Sequence, residues 1–376
     1  MRNSKRAMAQ GIAVLAGILT LGLGNSALAF HDGGVAHCDG CHSMHNSPDN
    51  PVSGTPNNTL LKGSDASSTC LTCHARAGRS YNVMSTDGTS YTPGGDFFWL
   101  TQPYTNTVRG SEVTSEPDNM GHNVIASDFG LAMDGSNTQA PGGTFPAGAL
   151  GCQSCHSPHG QVDGGTANGA LPISVSGSYG DIPVAGTIAG NYRLLRNLDA
   201  APTAVTAGFG ETDTSHPAYG ENMGEWCATC HGDYINDNHK HPSGNGEFMN
   251  GQATTYNSYV ATGDYTGDPA TSFLQFVQFE RQETDTATLL AGVTSTAGPD
   301  SSNNVMCLTC HRAHASAFNN VTRWDTETEF IAHSYPSAAN LVQMGAAPNA
   351  SYYGRDMAAE FGEYQRGLCN KCHVKD

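Results

Sequence analysis

All twelve cysteines of the chain fall into six units of one form, Cys-x-x-Cys-His. The units are Cys38-Asp39-Gly40-Cys41-His42, Cys70-Leu71-Thr72-Cys73-His74, Cys152-Gln153-Ser154-Cys155-His156, Cys227-Ala228-Thr229-Cys230-His231, Cys307-Leu308-Thr309-Cys310-His311 and Cys369-Asn370-Lys371-Cys372-His373. An even cysteine count suggests disulfides in an oxidising compartment, and paired Cys-x-x-Cys units can hold zinc tetrahedrally. Neither accounts for a histidine directly after every second cysteine. That arrangement suits two thiols reaching the vinyl groups on one side of a porphyrin while the adjacent imidazole turns beneath the iron, which is the c-type haem attachment motif. Six copies predict six haem c groups. They would be attached through Cys38, Cys41, Cys70, Cys73, Cys152, Cys155, Cys227, Cys230, Cys307, Cys310, Cys369 and Cys372, with His42, His74, His156, His231, His311 and His373 as proximal iron ligands.

The start of the chain reads as an export signal. Arg2, Lys5 and Arg6 precede an apolar run from Gly11 to Leu23, and Ala27-Leu28-Ala29 comes after it. The run is short of the roughly 20 residues of a membrane span, and the small residues predict cleavage between Ala29 and Phe30. Residues 1–29 are therefore expected to be a secretory signal peptide and residues 30–376 a single hexahaem domain of 347 residues. Removing the signal takes away three basic and no acidic residues, so the net charge moves from −17 to −20. Such a balance argues against nucleic acid as a partner, because its phosphates are neutralised by Lys and Arg, and it also serves simply to keep an exported protein soluble.

Gly (45) and Pro (18) are plentiful and apolar runs are short, so side chains alone are not expected to offset the ordering entropy of the chain. With about 58 residues per haem, the macrocycles are expected to supply the core instead. The predicted fold is mostly irregular and loop-rich, with short α-helices at the motifs and minor β, organised around a stacked haem row. Further helices are expected over Pro269–Glu280 and from Met357 toward the last motif.

What such haems do depends on the sixth iron coordination position. Sixteen histidines less six proximal ones leave His31, His37, His45, His122, His159, His216, His239, His241, His314 and His333, enough to close every iron. Closed bis-His sites transfer electrons, whereas an open site can activate a small molecule. The first, third and fifth motifs carry a second histidine three residues on: His45, His159 and His314. Each is tethered on the proximal side of its own haem and is expected to ligate a neighbouring one. The alternation suggests pairing of first with second, third with fourth and fifth with sixth. For His31, His122 and His241 spacing leaves the ligand role open, and His37, His216, His239 and His333 read as surface or propionate-contacting residues. No methionine is marked as a ligand by spacing, so low-potential, low-spin haems are expected. Arg109, Arg193, Arg312 and Arg355 are candidate propionate partners, with a solvated surface role as the alternative. Attachment sites lie near both ends of the exported chain, which suits relay between molecules and head-to-tail polymerisation.

Outside the motifs, several stretches carry a likeness to a known family. They include Phe30-His31 with Gly33-Gly34-Val35-Ala36, Thr92-Pro93-Gly94-Gly95-Asp96-Phe97, Gly121-His122-Asn123 and Ala140-Pro141-Gly142-Gly143-Thr144. Glu225-Trp226-Cys227-Ala228, His241-Pro242, Arg312-Ala313-His314-Ala315-Ser316, Tyr352-Tyr353-Gly354-Arg355 and Tyr364-Gln365-Arg366 continue it. In these residues the chain resembles the hexahaem outer-surface c-type cytochromes of metal-reducing bacteria, which polymerise into electron-conducting filaments. The resemblance implies distal iron ligands at His31, His45, His122, His159, His241 and His314. It also implies that His45 is donated across the subunit boundary to the fifth haem, that of His311, in the next protomer. Residues 169–215 and 257–304 depart from the family pattern.

The expected function is extracellular electron transfer by a secreted bis-His hexahaem cytochrome that polymerises into a filament, with no enzymatic step. Its partners would be further copies of itself, redox partner cytochromes and extracellular Fe(III) or Mn(IV) oxides. The alternatives are a non-polymeric exported electron carrier and a multihaem reductase. The latter needs an open haem.

Overall fold

The computed structural model describes residues 38–43, 60–75, 82–88, 90, 92–108, 111–156, 204–205, 215–235, 241–334 and 361–374. Every attachment motif forms a helical turn. Among the described residues the α-helices include α1 (Cys38–Cys41), α2 (Ala66–His74), α3 (Cys152–Cys155), α4 (Met223–His231), α5 (Gly251–Ser258), α6 (Thr286–Gly292), α7 (Cys307–Cys310) and α8 (Asn370–His373). One helical turn is what the motif needs, since residues three apart lie side by side on a helix and so present both thiols to one edge of a ring.

Among the described residues there are also two small sheets. An antiparallel hairpin pairs β1 (Tyr104–Val108) with β2 (Ser111–Ser115), from Tyr104 opposite Ser115 to Val108 opposite Ser111. The second pairs β3 (Ala204–Val205) with β4 (Ala218–Tyr219). Among the described residues no helix is long and apolar enough to cross a membrane. The loop-rich architecture expected from composition is what the chain adopts.

One expectation is corrected, and a second lies largely outside the described residues. Residues 269–280 are not helical but run through turns and single bridges, with Val277 N–H donating to Leu274 O at 2.9 Å and Phe273 N–H to Thr296 O at 2.9 Å. The apolar side chains here are buried among separate segments, Phe276 fully so, and Phe279 meets Tyr256 edge-on at 5.1 Å. A helix would have gathered them on one stripe. Of the stretch from Met357, residues 357–360 lie outside the described residues, Phe361 is helical, residues 362–369 form turns and a bridge, and Asn370–His373 is helix again.

The side-chain core is also larger than composition suggested. Phe97, Phe98, Trp99, Tyr104, Met120, Phe276, Phe318 and Trp324 form part of one buried cluster. Its aromatic rings meet edge to face, as in Trp99–Tyr104 and Tyr104–Phe318, both at 6.1 Å, the arrangement their quadrupoles favour. Asp96 anchors this cluster. Its carboxylate accepts from Ser85 N–H (2.9 Å), Phe98 N–H (2.9 Å), Ser90 N–H (2.9 Å) and Ser85 Oγ (2.5 Å), so a buried charge is satisfied on both oxygens.

Candidate functional site

The motifs succeed one another through the fold. The N–H of Cys152 in α3 donates to Ser67 Oγ of α2 at 3.0 Å, and the Cys70 and Cys152 thiols lie within hydrogen-bonding reach. The Cys227 and Cys307 thiols are in the same relation. Cys155 and Cys227 pack on one cluster with Trp226 and Met306. Cys310 lies in the field of Cys369 and Cys372, and burial pushes its thiol up to about 12. Each described cysteine side chain is a free thiol, available for a thioether.

Among the described residues, three histidines outside the motifs face motif histidines. His122 faces His231 with ring centroids 5.9 Å apart, and His314 faces His156 at 6.1 Å. His241 faces His373 at 5.8 Å, with the two Nε2 atoms 3.5 Å apart. Two metal–imidazole bonds of about 2 Å each place the ligating nitrogens about 4 Å apart and the ring centroids about 6 Å apart. The three pairs therefore have the spacing of two imidazoles about one iron, and the residues fit the group that the motifs call for.

Backbone carbonyls orient these rings. His122 Nδ1 lies 2.7 Å from Ala313 O, His231 Nδ1 2.7 Å from Pro141 O and His311 Nδ1 2.7 Å from Asn320 O. Donation from Nδ1 fixes the tautomer that leaves Nε2 for a metal. Burial lowers the pKa of His122 and His311 and, with the neighbouring His156 and His122 imidazoles, takes His314 down to about 3. A ligating imidazole must be neutral, and these are held neutral.

Two glycine turns make the close packing possible. His314 N–H donates to Gly94 O at 2.7 Å and its ring stacks on Phe97 at 4.9 Å. Gly95, with φ +93°, runs so close that an added Cβ would lie 2.0 Å from Ala315 O. Likewise a Cβ on Gly143 would lie 1.8 Å from Cys230 O, in the turn whose Pro141 carbonyl holds His231. The stretches 92–97, 121–123 and 140–144, which carry part of the family likeness, are thus the walls around His314, His122 and His231.

The suggested pairing of fifth with sixth motif is corrected for His314, which faces His156 of the third. Past Cys310 the chain is extended, and Ala315 bridges to both Gly95 and Gly121, which carries His314 toward the third motif. His216 is not at the surface. It is buried, stacked on Phe273 at 3.8 Å, with Nδ1 2.8 Å from Pro217 O and Nε2 3.1 Å from Ser295 O. Arg312 is buried, with Nη1 donating to Pro93 O at 2.9 Å, so its solvated-surface alternative fails. His31, His37, His45, His159, His239, Arg109, Arg193 and Arg355 lie outside the described residues, as do the side chains of Cys38 and His333.

Arg323 carries no signal in the sequence, yet it is fully buried against the fifth motif. Its Nε donates to Leu308 O at 2.7 Å, its Nη1 to Gln275 O at 3.2 Å and its backbone N–H to Cys310 O at 2.7 Å.

No family model matches the chain. It is 39% identical to the C-type cytochrome OmcS of Geobacter sulfurreducens over 99% of this chain and 100% of that protein. The chain belongs to the OmcS family of c-type cytochromes. Two solved structures agree. The cryo-EM structure of OmcS nanowires from Geobacter sulfurreducens superposes with a TM-score of 0.74 at 36% identity, over 92% of this chain and 100% of that one. A structure of the Outer Membrane Cytochrome S filament from the same organism does so with a TM-score of 0.72 at 37% identity, over the same shares. Membership of the OmcS family makes haem c the cofactor and electron transfer the activity.

Proposed function

We propose that this chain is a secreted hexahaem cytochrome whose bis-His irons carry electrons along a self-assembled filament to extracellular acceptors such as Fe(III) or Mn(IV) oxides. Residues 1–29 direct export, and residues 30–376 form one haem-bearing domain. The observation that carries the reading is the set of facing imidazoles at 5.8 to 6.1 Å, His122 with His231, His314 with His156 and His241 with His373. Closing both axial positions leaves no place for a substrate, which favours electron relay over catalysis. His31, His45 and His159 complete the distal set, with His45 reaching the fifth site, that of His311, in the next subunit.

The haem iron supplies the one-electron ferric–ferrous couple. The chain holds His122 and His314 neutral by burial, aims Nε2 through carbonyl contacts at Nδ1 of His122 and His231, and excludes water with the Phe97, Trp99 and Trp226 cluster residues. Burial away from water also limits the reorganisation that accompanies each change of charge.

Cryo-electron microscopy of the protein purified from its native host tests the assembly. Filaments in which His45 coordinates the fifth haem of the adjoining subunit support the reading. Discrete particles with every iron ligated inside one chain leave an electron carrier and remove the filament.

A further inference from the structure

Glu280 is a fully buried carboxylate at the junction of the fourth and fifth motifs. Its backbone is held from both sides. Its N–H donates to Asn304 O at 3.0 Å, Asn304 N–H returns a bond to Glu280 O at 2.8 Å, and the next residue's N–H reaches Tyr219 O at 2.9 Å. Asn304 lies just before Cys307 and Tyr219 just before α4, so Glu280 sits between the two attachment helices.

Each carboxylate oxygen has its own surroundings. Oε2 accepts from Met223 N–H at 3.1 Å and Gly224 N–H at 3.3 Å, the free donors at the N-terminus of α4. Oε1 accepts from Gln282 Nε2 at 3.0 Å, and the same Nε2 lies 3.2 Å from the side-chain oxygen of Asn245. Asn245 is exposed and its N–H also bonds Glu225 Oε1. A run of polar side chains therefore leads from the surface to the buried carboxylate. Glu225 Oε2 is itself buried with no hydrogen-bond partner, so two carboxylates share one poorly solvated corner.

We propose that Glu280 is a proton-binding site coupled to the electron occupancy of the fourth and fifth haem sites, taking a proton from solvent when an electron arrives and releasing it when the electron leaves. The inference rests on the electron-transfer reading above but not on the filament. The electron comes from a reduced neighbour in the haem row or a redox partner and turns a ferric iron ferrous. The proton comes from water by way of the Asn245 and Gln282 side and forms an O–H bond at Oε1. One negative and one positive charge enter together, so the buried region keeps its net charge, which is what a low-dielectric site favours.

The charges around Glu280 set the working range. Burial, and after it the Glu225 carboxylate, pushes Glu280 up to about 7 against the backbone donors that oppose the rise. Arg281, next in the chain, points away, its guanidinium lying where a side chain on Gly292 would go, and feels Asp300. Cys227 and Cys307 also lie in the field of Glu280 and carry no charge once they are thioethers. Near neutrality the group therefore stands where a change of one charge at a neighbouring iron moves it across its titration.

The test uses the full haem-loaded protein, labelled with ¹³C-glutamate, in redox-difference infrared spectroscopy alongside optical potentiometry between about pH 5 and pH 9. The expected result is a labelled protonated-glutamate carbonyl band that grows on reduction, with midpoint potentials that fall as pH rises. Glu280→Gln removes the band and flattens part of the slope, while Glu225→Gln keeps the band and lowers the pH at which it appears. Haem propionates can take up the same label, so the band is assigned by its loss in Glu280→Gln, and, should that variant fail to fold, by its move to lower pH in Glu225→Gln; a labelled band that neither variant alters belongs to the propionates and overturns the proton site. A redox-active protein with no labelled band, or with an unchanged slope in Glu280→Gln, overturns the proton site and leaves electron transfer standing. Loss of a reversible haem absorbance change would instead sink the electron-transfer reading and this inference with it.

Discussion

In the second, fourth and sixth motifs the proximal histidine is the last residue of its helix, as His74, His231 and His373 are. In the first, third and fifth the helix stops one residue earlier. His42 bridges to Leu61, His156 has φ −112° and ψ 144°, and His311 has φ −107° and ψ 159°. The two sets share the five positions of the motif and differ just beyond it, since only the odd-numbered motifs carry another histidine three residues on. Were the helix to continue, that histidine would lie beside the proximal one on the same face. Leaving the helix in extended form sends it elsewhere, and for His314 that is the third motif.

The sharpest break to this comparison is removal of the travelling histidine. In the haem-loaded protein, His314→Ala should open the site of His156, giving a high-spin ferric signal equivalent to one haem per chain by electron paramagnetic resonance. His314→Met should keep the iron low-spin and raise one potential. If instead the signals of His314→Ala are unchanged, the facing rings at 6.1 Å do not ligate a common iron.

Next in size are the glycine walls, one for each kind of motif. Gly95→Ala, beside the fifth motif's extended segment, combines a positive φ with a 2.0 Å clash, and Gly143→Ala, beside the helical fourth, has only the clash, at 1.8 Å. Each is expected to cost about 1–3 kcal/mol or more in chemical denaturation, with Gly95→Ala the larger. Gly130→Ala, where nothing lies within 4 Å, provides the measure of a positive φ alone.

A pH series separates the fourth motif from the rest. Glu280 titrates at about 7 in the fold against an ordinary value of 4.5. Between those values the folded state binds more protons than the unfolded, so its contribution to stability is present at low pH and is lost as pH rises through about 7. The loss is bounded at about 3 kcal/mol by 1.36 kcal/mol per unit. Glu280→Gln should flatten the stability profile in that window, as thermal melts would register.

The smallest expected effect is at a helix start. α2 is capped by Asp65, whose Oδ1 accepts from Ser68 N–H at 2.7 Å, while the shorter α3 begins at Gly151. Asp65→Ala should lower stability by about 1 kcal/mol. An effect much larger than that would mean that the link from Asp65 Oδ2 to Ser127 N–H, 2.8 Å, matters more than the cap.

The motifs, their count, the histidine that ends each one and the loop-rich character could be read directly from residue order. Covalent chemistry at adjacent residues requires fixed local spacing, and spacing is visible in one dimension. The family resemblance extended this to the stretches around His122, His314 and His231, though not to what they do there. The apolar run at 273–279 misled, because its composition suits a helix while its backbone makes a tight turn from Leu274 to Val277 and a bond from Phe273 to the distant Thr296.

Residue order alone thus determined the six attachment motifs, the histidine that ends each of them, and a supply of ten further histidines. Only the tertiary structure decided that His314 meets His156, His122 meets His231 and His241 meets His373, that His216 is bound up in backbone contacts, and that Arg323 and Glu280 are buried beside the motifs. These relations join residues far apart in the chain. They depend on which carbonyls, glycines and rings the folded backbone brings within a few ångströms, which no local pattern of residues encodes.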